Sequence, residues 1–231
     1  MKARLLVAAA LLSAGFLTGC ESSEDDRINQ AQACLDNATG ASDVGACTAK
    51  VEGISGSRAA IIRCSAAYIS QGFTTRSTRF LDAFRALRDE SGSTNSTVAM
   101  MTHLSFDGVD ANAANAAAAE AVVHCSQTGL EGMIMFANMT KLATRLKYLA
   151  GIGTGVTPTP AQLEAQVGNL TNQEAGEAAV AIADNYCKNA STNDEEFCGE
   201  FNAAVNNGGT DTEQIGCLIK RQLNPSLPAC P

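Results

Sequence analysis

Nine cysteines and two histidines are the residues with the most chemical potential in this 231-residue chain. Thiols and imidazoles can hold a metal, run thiol chemistry or lock the chain with disulfides. The spacing argues against a metal. There is no C-x-x-C and no C-x-x-C-H, and His103 and His124 stand outside any ligand pattern. His124 adjoins Cys125, but helical neighbours point about 100° apart. Three close pairs stand out instead. Cys34 and Cys47 have twelve residues between them, Cys187 and Cys198 have ten, and Cys217 and Cys230 have twelve. That leaves Cys20, Cys64 and Cys125 without a close partner.

Cys20 has a different context. A basic start (Lys2, Arg4) precedes an apolar run over residues 5–16, and Leu17-Thr18-Gly19-Cys20 closes it. Short apolar runs ending in small residues are secretory signals. The run is too short, and too interrupted by Ser13, for the roughly 20 apolar residues of a membrane-spanning helix. Leu17-Thr18-Gly19-Cys20 resembles the lipobox of bacterial lipoproteins. The resemblance covers about the first twenty residues and implies cleavage of residues 1–19. It further implies a diacylglyceryl group on the Cys20 thiol and a fatty acyl chain on its new amine. Two or more buried chains anchor a protein stably, where one does not. Glu21 rather than Asp follows, which by the family's sorting rule implies the outer membrane of the bacterial envelope. No family resemblance is read for the mature domain. Residues 20–30 are polar and acidic and are expected to form a solvated tether.

With Cys20 assigned to lipid, eight cysteines remain in an exported chain, and an even count there reads as a disulfide framework. The expected bridges are Cys34–Cys47, Cys187–Cys198 and Cys217–Cys230, with Cys64–Cys125 as the remainder. Loop-closure entropy gives each short loop about 3 kcal/mol and the long one about 4 kcal/mol. The first two pairs share a plan. A helix ends just after the first Cys, a polar turn follows, and a second helix opens before the second Cys. Each bridge would then pin a helix–turn–helix corner.

Charge excludes some partners. The chain carries 16 Lys and Arg against 24 Asp and Glu, a net −8. Loss of the signal removes two cations and no acids, giving −10. Such a chain repels the phosphates of nucleic acid, and anionic lipid would not hold it by charge. The charges are segregated. Arg58, Arg63, Arg76, Arg79, Arg85 and Arg88 face one acid, Asp82, over residues 54–88, while acids dominate from residue 89 onward. The Arg-rich stretch is either packed against acidic helices or a docking surface for an envelope protein or a second copy.

The remaining motifs carry little chemistry. Asp107-Gly-Val-Asp110-Ala-Asn112 lacks the order of a calcium loop, and helix N-capping by Asp107 or Asp110 is the expectation. Glu195 and Glu196 suit the first turn of a helix. The glycine-rich residues 151–160 follow a helix rather than a strand, so they read as a helix stop and linker, not a phosphate loop. Met100, Met101, Met133, Met135 and Met139 read as adaptable core, with a pocket for apolar ligands as the alternative. No catalytic constellation, cofactor motif or metal set emerges, so the protein is expected to be non-enzymatic.

The elements that hold these residues are helices. Alanine is abundant, aromatics make up 5% of the chain, and no stretch alternates over any length. Helix starts are marked at Thr159-Pro160 with Gln162, Thr171 with Glu174, Thr192 with Glu195 and Thr210 with Glu213. Residues 75–90 place Phe80, Ala83, Phe84 and Leu87 on one face, with Asp82/Arg85 and Arg85/Asp89 opposite. Leu130, Ile134, Ala137, Leu142, Leu146 and Leu149 mark a central core helix whose Thr140, Lys141, Arg145 and Lys147 make it too polar for a bilayer. The expected fold is an all-α, disulfide-stapled bundle or array of short antiparallel helices. Residues 31–150 and 161–231 form its two regions, packed as one domain or two. Growth with a labelled fatty acid should place label on the protein, and Cys20→Ser should remove it; label that survives in this variant would refute the lipobox reading.

Overall fold

The computed structural model describes residues 23–74, 76–88, 95–188 and 195–231. Cys20, Asp89 and Thr192 lie outside them, as do the side chains of Leu87, Arg88, Glu195 and Glu196. The described residues form eleven α-helices and contain no strand. The all-α, disulfide-stapled class is therefore observed.

The helices build two cores that share one wall. A small cap is made by α1 (Ser23–Asp36), α2 (Ala41–Thr48), a 3-10 turn (Ala49–Val51) and α3 (Ser57–Ser70). Its core is small and aliphatic, with Ile28, Leu35, Val51 and Ile62 buried. The opposite face of α3 brings Cys64 and Tyr68 into the main core. That core also takes α4 (Arg79–Arg88), α5 (Ser96–Leu104), α6 (Ala111–Ser126) and α7 (Glu131–Leu149). It continues through α8 (Pro160–Glu164) and α9 (Asn172–Ile182), which runs into a π-helical turn (Ala183–Cys187). Then follow α10 (Glu195–Gly208) and α11 (Thr212–Leu223).

Residues 151–160 do not divide this core. Buried residues on both sides, such as Leu146 and Ile182, belong to one cluster. Gly151, at φ 68°, ends α7, and the Ile152 N–H returns to the Lys147 carbonyl at 3.1 Å, a Schellman closure. The Gly155 N–H and the Thr154 hydroxyl then bond back to Asp107 and to the Gly108 carbonyl. The linker is thus a strap laid across the bundle.

All four expected disulfides are present. Cys34–Cys47, Cys64–Cys125, Cys187–Cys198 and Cys217–Cys230 have Cα separations of 5.4, 4.9, 5.3 and 5.8 Å, in the normal range for a bridge. Cys34–Cys47 pins the α1–α2 corner, as the local plan required. Cys64–Cys125 ties the shared wall α3 to α6.

Three local readings need correction. The acidic tether is largely helix: α1 opens at Ser23, and Glu24, Asp25 and Asp26 occupy its first turn. Acids there suit the positive end of the helix dipole, and Ile28 is buried against the cap, so residues 23–30 do have something to bury. The start of α11 is capped by Asp211, not Thr210. Its carboxylate accepts from the Glu213 and Gln214 N–H groups at 3.0 and 3.1 Å, and an anion is the better acceptor at that end. Leu130 is 46% exposed, because it is the N-cap of α7 and sits outside the helix that buries its neighbours. Capping boxes at Thr159/Gln162 and Thr171/Glu174 form as expected.

The C-terminal helices meet at unusually close range. A methyl added to Gly216 of α11 would lie 1.7 Å from the Asn172 carbonyl oxygen, and one on Gly176 of α9 would lie 1.9 Å from the Thr212 carbonyl oxygen. Backbone touches backbone at both ends of this crossing, so no side chain fits. Gly216→Ala should cost about 2–3 kcal/mol as overpacking. Gly199→Ala on α10, where the added methyl meets nothing, should stabilise by about 0.5–1 kcal/mol. Urea unfolding with the disulfides intact measures both; equal effects would refute the close crossing.

Candidate apolar binding site

An aromatic cluster lies between α3, α4 and α7. Tyr68, Phe73, Phe80 and Phe106 pack around one another, with ring centroids 4.8–6.0 Å apart. Phe136 of α7 extends the cluster edge-on to Phe80 at 5.6 Å and to Phe84 at 5.2 Å. Such pairs contribute about 0.5–1.5 kcal/mol beyond their buried area.

The cluster is held from behind by a polar stripe along α7. Thr140, Thr144 and Lys147 are buried in the bundle. Their spacing, with Tyr148, puts all four on one side of the helix. The Tyr68 hydroxyl bonds Thr140 Oγ1 at 3.0 Å. The Phe106 N–H donates to Thr144 Oγ1 at 2.8 Å, and the Gly108 N–H to the Tyr148 oxygen at 3.2 Å. Lys147, 2% exposed, pairs with Asp107. Burial pushes the Tyr68 hydroxyl well above its ordinary pKa, against the Thr140 bond, so it stays a neutral partner.

On the outside the rings form one wall of a slot of ≈ 250 Å³. Tyr68, Phe80, Met133 and Phe136 line that wall. Leu35 of α1 and Ile69 and Ser65 of α3 line other parts of it, and Gln32 and Asp36 supply polar groups. Phe84 and Leu81 of α4 remain 45% and 50% exposed. An apolar slot of this size, beside exposed aromatic surface, can take one hydrophobic group and exclude water from it. A wider cleft of ≈ 600 Å³ separates α2, α3 and α6. Two of its polar pairs are internal: Arg63 with the Val51 and Ile54 carbonyls, and His124 with Glu120 at 3.4 Å.

The structure sorts the sequence candidates differently. The five arginines whose side chains are described are engaged in different ways. Arg58 pairs with Asp25 and Asn29 of α1. Arg63 donates to two backbone carbonyls. Arg79 is half-buried, donates to the Gln71 and Ser105 carbonyls at 2.7 Å each, and covers the Phe73 ring at 4.0 Å. Arg76 is exposed, Arg85 pairs with Asp82 at 3.3 Å, and the Arg88 side chain is outside the described set. Guanidinium groups were used here to satisfy carbonyls at helix ends, a use that charge counting along the chain does not show.

A family model matches part of the chain. It describes a family of unknown function (DUF5773) and covers residues 161–231. That segment holds α8 to α11 and their glycine crossing, and does not include the aromatic slot. No curated protein and no solved structure matches the chain.

Of the other candidates, Asp110 caps α6 by accepting from the Ala113 N–H, while Asp107 serves as the Lys147 counter-ion. Met100, Met101 and Met139 are fully buried and fill the core, whereas Met133 reaches the slot. His103 is half-buried beside Asp82 and Arg79; burial pulls its pKa down, Asp82 opposes that and Arg79 reinforces it. Among the described residues no group of three or more His, Cys, Asp or Glu could hold a metal. Tyr68, Phe73, Phe106 and Lys147 were not singled out as site residues from the sequence. The one available signal was the i, i+4 and i, i+7 recurrence of Thr140, Thr144 and Lys147 along the helix that carries the apolar core face. Asp107→Asn should cost about 3–5 kcal/mol, because it leaves the buried Lys147 ammonium without a counter-charge, while the Asp107→Leu/Lys147→Met double variant should cost less. Thermal unfolding of the two variants decides it; a double variant that is worse than the single would refute the pairing.

Proposed function

We propose that this chain is a lipid-anchored, non-enzymatic interaction module of the bacterial cell envelope. Three features support the reading: the lipobox-like Leu17-Thr18-Gly19-Cys20, the exposed α4 surface, and a scaffold locked by four disulfides. The observation that carries the docking part is Phe84 with Leu81. Large apolar side chains held half-exposed beside Phe136, on a rigid support, suit a partner's apolar surface. Arg85, one turn after Leu81 on α4, would favour an acidic rim on that partner. Only Glu21 and Ser22 separate Cys20 from α1, so the cap would sit close to the membrane rather than at the end of a long tether.

A second reading is favoured by one observation, the ≈ 250 Å³ aromatic slot. In that reading the protein carries or senses a small apolar ligand, taken from the membrane that anchors it.

Photocrosslinking in cells separates the two. A photoreactive residue at Leu81 or Phe84 should give one discrete adduct with an envelope protein, and the same residue at Val123, exposed on α6, should not. Adducts of equal yield at both positions would refute α4 as the docking surface.

A further inference from the structure

We propose that the aromatic slot binds a hydrophobic cation: an apolar chain or ring bearing an ammonium group. This deepens the ligand-carrier reading and rests on it. The apolar part would occupy the slot against Tyr68, Phe80 and Phe136, and the ammonium would lie at its polar end beside Asp36.

Three observations point to the sign of the charge, and a fourth to rings that can face a cation. First, Asp36 is the one charged side chain among the described residues that line the slot. Its neighbours at that end, Gln32 and Ser65, are neutral, and the Gln32 amide donates to Asp36 Oδ1 at 2.7 Å. Second, Asp36 is the last residue of α1, where the helix dipole is negative and an acid is unfavourable. A cation there relieves both. Third, the last turn of α1 contains no basic residue, so nothing on the helix supplies that charge. Its carbonyls are met by neutral donors alone: Asn37 Nδ2 on Ala33, and the Asn37 and Ala38 N–H groups on Cys34 and Leu35. Fourth, the same ring cluster already holds a cation of its own. Arg79 sits 4.0 Å from the centroid of Phe73, which also lines the slot. Electron-rich ring faces attract ammonium and guanidinium groups alike.

The size limits the apolar part. An engineered apolar cavity of about 150 Å³ accepts benzene, so ≈ 250 Å³ suits a somewhat larger ring or a chain of about eight carbons. A whole membrane lipid does not fit. A fatty acid is disfavoured for a separate reason, since its carboxylate would face Asp36 and the negative end of α1.

Titration calorimetry with three eight-carbon probes tests this on the oxidised protein: octyltrimethylammonium, octanol and octanoate. The expected order is the cation tightest, octanol intermediate and octanoate weakest, with about a tenfold gap between the cation and octanoate. Asp36→Asn should shrink that gap to about twofold. Ser65→Trp, which fills the slot from α3, should abolish binding of all three. Octanoate binding as tightly as the cation, with octanol also bound, would overturn the charge assignment and leave the carrier reading standing. Binding of none of the three would sink the carrier reading itself. Cation binding that survives Ser65→Trp in a folded variant would place the site elsewhere and overturn the proposal.

Discussion

The main bundle depends on a buried polar stripe along α7. Thr140, Thr144 and Lys147 are buried and Tyr148 half-buried on a helix whose other buried residues are apolar except Asn138, which bonds within the helix to the Ile134 carbonyl. Each buried polar group there needs a partner, because an unmet one costs about 1–3 kcal/mol and a buried charge more. The partners come from far along the chain: the Tyr68 hydroxyl on α3, and the Phe106, Asp107 and Gly108 segment between α5 and α6. Satisfying α7 therefore fixes where α3 and the α5–α6 connection must lie. The aromatic cluster, whose rings include Tyr68 and Phe106, is assembled as a consequence.

The covalent and steric constraints act on different parts. Cys34–Cys47 closes the cap and Cys64–Cys125 joins its shared wall to α6. At the other end, Gly176 and Gly216 let α9 and α11 touch backbone to backbone, and Cys217–Cys230 fastens the chain end to α11. Arg145 of α7 meets Glu174 of α9 at 3.3 Å, so the central helix also contacts the C-terminal layer. The matched family segment, residues 161–231, coincides with that layer. The aromatic slot lies on the other side of α7 and draws its walls from α1, α3, α4 and α7.

The proposed roles follow from this division. A frame fixed by four bridges can hold Phe84 and Leu81 half-exposed without collapsing over them. Preorganised apolar surface loses little freedom on binding, which favours recognition over chemistry. The lipobox-like start would keep such a surface beside a membrane, where apolar ligands and envelope proteins are both concentrated.

Much of the fold was legible in the sequence, and for local reasons. The helical class, the α7 core face and the capping boxes at Thr159 and Thr171 are set by residues within a turn or two of one another. Three disulfides were legible because loop closure favours near neighbours, and the fourth by remainder. Other features required the tertiary structure. Along the chain Arg58, Arg63 and Arg79 could be either packed or free, and each finds an acceptor that folding brings near. Lys147 reads only as a cation that makes α7 too polar for a bilayer until Asp107, forty residues earlier, is folded against it. The slot between α1 and the Phe80/Phe136 wall has no local signature, since its walls come from segments up to about a hundred residues apart. Hydrogen-bond caps and periodicity are short-range and can be read from sequence; which distant groups meet in the interior is decided by packing alone.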